Sequence, residues 1–128
     1  MINGFEQETA PLNDIELCAA ETIARSLKAN HIGADKAITA DYMCKAMAQF
    51  PIFRTPNGKP YLNGARIRKI VNHIRLTGMC PNLIASSKGY YVSEDKSEIL
   101  EYVNGLRERA NAINQVACIL AKQAYVSM

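Results

Sequence analysis

The chain has 128 residues, nearly half of them apolar and about a fifth charged. It is therefore long enough for one domain with a real core, and too hydrophobic to be disordered as a whole. The net charge of +3 is too small to point to a partner by itself. Its distribution says more. Residues 1–41 carry seven acidic and three basic side chains, residues 42–93 carry eight basic and none acidic, and residues 94–128 carry five acidic and four basic. An all-basic centre in an otherwise mixed chain is the footprint of a polyanion binder. Cys18, Cys44, Cys80 and Cys118 are scattered singly, and neither His31 nor His73 stands at metal-ligand spacing to them. This pattern predicts reduced thiols in a cytoplasmic protein, with no metal or other cofactor. No apolar run reaches the length of a membrane span and no signal pattern opens the chain, so neither membrane nor export is expected.

In chain order, residues 1–12 are expected to form a flexible leader. Asn13 and Glu16 have capping-box spacing and predict a helix to about Asn30 that buries Ile15, Ala19, Ile23 and Leu27. His31 fits a helix end. Ala37-Ile38 is too short to stand alone as a strand but suffices for one or two ladder bonds. Thr39 predicts the cap of a second helix with Tyr42, Met43, Ala46 and Met47 on its inner face, ended by Phe50-Pro51. Residues 51–63 hold three prolines and the Asn57-Gly58 pair, and Asn63 begins a second pair with Gly64, so at least one tight turn is expected there, and a small hairpin at Asn57-Gly58 is compatible with the pattern.

The stretch 64–77 follows, capped by Asn63 and stopped by Gly78. Ile67, Ile70, Val71 and Ile74 form one apolar stripe, and the opposite side is expected to carry Ala65, Lys69 and Asn72, flanked by Arg66, Arg68, His73 and Arg75. Residues 83–92 read as a β-hairpin with its turn at 86–89 and Lys88 near the tip; alternation of side chains predicts that only one of Tyr90 and Tyr91 packs on the core. Asp95 and Glu98 repeat the capping-box spacing at the start of the longest helix, 95–126. There Ile99, Val103, Leu106, Ala110, Ile113, Ala117, Leu120 and Ala124 recur at alternating spacings of four and three, a heptad seam. Such a helix outreaches a domain of this size, which leaves two expectations open: packing on the protein's own first helix, or a homodimer through the seam.

The predicted fold is thus mainly α with a small β-hairpin: a domain at 13–94 and a long C-terminal helix at 95–126. Residues 37–47, followed by 66–75 and by 83–92 with its Lys88-Gly89-Tyr90 turn, resemble the bracing helix, recognition helix and wing of biotin-repressor-type winged helix-turn-helix domains. They are more similar still to small DNA-binding proteins of phages and mobile elements in which the wing runs into a long helix. The connection at 51–63 is longer than the turn usual in that family. The resemblance implies a non-enzymatic, double-stranded DNA-binding protein, a regulator or a replication or excision accessory, with helix 64–77 in the major groove. It places Arg66, Arg68 and Lys69 toward base edges, where Arg binds guanine bidentately and Asn72 pairs with adenine. Arg75, Lys59, Arg54 and Lys88 fall to phosphates, with His73 at the margin. No nucleophile-base pair, P-loop or carboxylate dyad supports catalysis, and no small-molecule ligand is expected. The rival expectation is a protein–protein module acting through the C-terminal helix.

Overall fold

A computed structural model describes residues 11–127, so the expected leader lies, apart from its last two residues, outside the described part. The described chain is mainly helical with one small antiparallel sheet and a long C-terminal helix. It divides into two compact units, one running to Glu94 and the other starting at Asp95.

The first unit opens with α1, Asp14–Asn30. Both halves of the capping box form: Asn13 Oδ1 accepts from the Glu16 amide at 2.9 Å, and the Asn13 amide donates to Glu16 Oε1 at 3.1 Å. Two donors that the helix leaves without partners are satisfied in this way. His31 ends the helix, its amide donating to the Leu27 carbonyl at 3.1 Å, and its Nδ1 lies 2.8 Å from the Lys36 carbonyl. After a single 3-10 turn at Ala34–Lys36, Ile38 is extended. Helix α2, Ala40–Met47, is capped by Thr39, whose Oγ1 accepts from the Tyr42 amide at 3.1 Å. Met43 and Met47 face inward and Ala46 is half-buried, but Tyr42 is 64% exposed and does not join the inner face. With only two turns, α2 has room for a narrow buried stripe, and Tyr42 falls beside it.

The long connection has structure of its own. A 3-10 turn spans Pro51–Phe53, and an antiparallel bridge joins Arg54 to Pro60 around a turn at Asn57-Gly58. The Thr55 amide donates to Lys59 O at 2.7 Å and the Gly58 amide to Thr55 O at 2.8 Å. This folded excursion brings Phe53 and Leu62 into the core and returns the chain beside α2. Helix α3, Gly64–Thr77, begins at Asn63, whose side chain accepts from the Arg66 amide, and stops at left-handed Gly78.

Strands β1, Leu83–Ser86, and β2, Gly89–Val92, pair antiparallel, with Leu83 opposite Val92 and Ser86 opposite Gly89. Ile38 adds the expected ladder bonds to β2, donating to Tyr90 O at 2.9 Å and accepting from its amide at 2.8 Å. Gly89 is what permits this approach: its φ is 119°, and a Cβ there would lie 2.3 Å from the Ile38 carbonyl oxygen. Tyr90 is half-buried against the core, whereas Tyr91, although buried, is not part of the core cluster, so one of the two packs on the core as alternation predicts. The core joins Ala19, Ile23 and Leu27 of α1, Met43 and Met47 of α2, and Ile67, Ile70 and Ile74 of α3, and is closed by Leu83.

The second unit is α4, Lys96–Ser127, 32 residues and therefore roughly 48 Å long. The Asp95 side chain accepts from the Ser97 amide at 2.9 Å and its carbonyl from the Ile99 amide at 3.1 Å. Every residue from Leu106 to Val126 is exposed. None of the described helices is long and apolar enough to cross a membrane.

Candidate nucleic-acid interface

Helix α3 packs against α1 on one side and α2 on another. Its buried arc is therefore wider than its isoleucine stripe. Ile67, Ile70, Val71 and Ile74 are buried as expected, and so is Lys69. The Lys69 ammonium donates to Glu16 Oε1 at 2.9 Å and lies 2.9 Å from Oε2 as well, with Glu16 only 1% exposed. Lys69 therefore does not stand on the outward face of the helix. The apolar stripe is too narrow to show where α1 docks, and only the fold places a carboxylate at that spot. Arg66 is likewise held inward: its guanidinium covers the Tyr61 ring at 4.2 Å, donates to Tyr61 O at 2.9 Å and approaches Glu16 Oε2 at 3.9 Å. Asn13 reaches the same cluster by donating to the Tyr61 hydroxyl at 2.6 Å.

What α3 presents outward is a row at intervals of four residues: Arg68, Asn72 and Leu76, all exposed, the leucine to 79%. Ala65, His73 and Arg75 flank the row and are half-buried. Gly64 makes room at the head of the row, for Arg68 Nη1 lies 3.2 Å from the point where a Cβ would stand. Arg68 also borders a shallow groove between α2 and the start of α3, with Asp41, Cys44, Lys45, Pro60 and Asn63 on its walls. Lys45 is a further cation at this groove, outside the nine expected contact residues. It pairs with Asp41 at 3.2 Å, one helical turn away, with both side chains mostly exposed. Its signal was present as an i, i+4 pair, but which face of α2 borders α3 depends on packing.

The cations outside α3 divide the same way. Lys59 in the connection and Lys88 at the hairpin turn are exposed. Arg54 is exposed as a residue, yet its guanidinium donates to the carbonyls of Ala48 and Gly58 and thereby ties the connection to the end of α2. It closes a loop and is not aimed at a ligand. Of the nine expected contact residues, then, Arg68, Asn72, Lys59 and Lys88 are exposed, and His73 and Arg75 are half-buried. Arg54, Arg66 and Lys69 are engaged in holding the fold. α3 itself contains no carboxylate, so its outward row offers donors, one amide and one apolar tip. The chain matches no family model, no curated protein and no solved structure.

Proposed function

We propose that the first unit is a winged helix-turn-helix reader of double-stranded DNA, with α3 in the major groove, α2 as its brace and the β1–β2 hairpin as the wing on the adjacent backbone. The observation that carries this reading is the outward row Arg68–Asn72–Leu76 on a helix free of carboxylates. Arg68 suits guanine O6 and N7, Asn72 suits adenine N6 and N7, and an exposed leucine suits a thymine methyl. Lys59, Lys88, Lys45 and Arg75 supply phosphate contacts, which set affinity and register but not sequence. In this reading the protein acts without catalysis, as a regulator or as a replication or excision accessory of a phage or mobile element.

The test is selection from a random duplex library followed by titration of the recovered site. A preferred sequence is expected, with Arg68→Ala costing about 1–3 kcal/mol on that site and flattening the preference. Binding should weaken with salt at a log–log slope of about −0.9 per phosphate contact. No duplex binding at low salt, with a stable hetero-complex in its place, would reject the reading in favour of a protein–protein module.

A further inference from the structure

Helix α4 poses a separate problem, independent of whether the first unit reads DNA. From Ala110 to Ala121 the helix has no charged residue, and every position there is exposed. Ile113 is 71% exposed, Leu120 58% and Val116 57%. Contiguous apolar surface of this kind marks an association surface. The composition of the seam says what covers it. One set of heptad positions carries Leu106, Ile113 and Leu120, and the alternate set carries Ala110, Ala117 and Ala124.

In a parallel, in-register pair of identical helices each position meets itself. Alanine would then face alanine and isoleucine face isoleucine, giving layers that are alternately too thin and too thick. In an antiparallel pair the two sets meet each other, so each alanine lies opposite a large side chain and all layers match in volume. Charge points the same way. Arg107 and Arg109 sit just before the uncharged run. A parallel pair would bring four arginines into neighbouring layers. An antiparallel pair centred on Gln115 sets Arg107 about 24 Å along the axis from its copy, at about 1.5 Å per residue, beyond the screening length of physiological salt.

We propose that α4 associates with a second copy of this chain as an antiparallel coiled coil about a two-fold axis at Gln115. Leu106, Ala110 and Ile113 then face Ala124, Leu120 and Ala117 of the second copy. The interface is isologous and closes on itself.

The experiment uses the full chain with Cys118→Ser, which removes the exposed native thiol of α4. Light scattering is expected to give twice the 14.2 kDa chain mass, or a higher even multiple. Val116→Cys places its thiols on the same flank of the antiparallel seam, and it should cross-link within the oligomer under mild oxidation. Leu106→Cys should not, because its two copies would stand about 27 Å apart along the axis. Ile113→Asp should return the mass to that of one chain. A monomer at tens of micromolar, or cross-linking by Leu106→Cys in place of Val116→Cys, would overturn the proposal.

Discussion

The Lys69 ammonium lies 2.9 Å from both carboxylate oxygens of Glu16, a pair buried between α3 and α1. Arg66 stands on the outer side of the same carboxylate at 3.9 Å. Breaking a buried pair is costly because it leaves a lone charge where water cannot reach it. Glu16→Leu, which strands Lys69, is expected to cost about 3–5 kcal/mol in chemical denaturation. Lys69→Met should cost less, since Arg66 still faces the carboxylate. Lys69→Met should also leave the salt dependence of duplex binding unchanged. A slope shallower by about 0.9 would show that Lys69 reaches a phosphate after all.

Gly89 is the one hairpin position that a side chain cannot enter. Gly89→Ala would press a Cβ to 2.3 Å from Ile38 O at a φ of 119°, against rigid backbone. A loss of more than about 2 kcal/mol is expected, together with loss of hydrogen-exchange protection at the Ile38 and Tyr90 amides. Gly58→Ala is the control: its φ is also positive, at 78°, but nothing lies within 4 Å of the new methyl. That change should cost only about 1 kcal/mol.

Arg54 and Lys59 lie in the same connection and should behave oppositely. Lys59→Ala is expected to leave unfolding unchanged and, if the duplex reading holds, to make the salt slope shallower by about 0.9. Arg54→Ala frees the carbonyls of Ala48 and Gly58 and should lower stability by about 1–3 kcal/mol. Equal effects of the two substitutions on stability would contradict this division.

The thiols should differ in reactivity. Burial pushes the Cys44 thiol above its ordinary range, and Asp41 adds to the effect; burial does the same for Cys80, partly offset by Lys28. At pH 8 alkylation should therefore modify exposed Cys118 first, with Cys44 and Cys80 following slowly. Because both shifts are upward, they favour the protonated native state. Their contribution to stability is whole below the ordinary thiol range and fades as pH rises through it. Alkylation of Cys80 as fast as Cys118 in the native protein would contradict this order.

Much of the fold could be read along the chain because it depends on neighbours in sequence. The caps at Asn13, Thr39 and Asn63, the stop at Gly78 and the 83–92 hairpin follow from residues three or four positions apart, where backbone groups need nearby partners. The stripe of Ile67, Ile70, Val71 and Ile74 likewise follows from helical period alone. The role of each cation could not be read this way. Lys69 and Arg68 are adjacent and chemically alike in sequence, yet one is buried on Glu16 and the other stands at the surface. What separates them is the position of α1, set by contacts across some fifty residues of chain. Local spacing determines which side chains share a helix face. Tertiary packing determines which of those faces a neighbouring helix covers, because a long cation can be buried wherever the fold supplies a carboxylate to meet it.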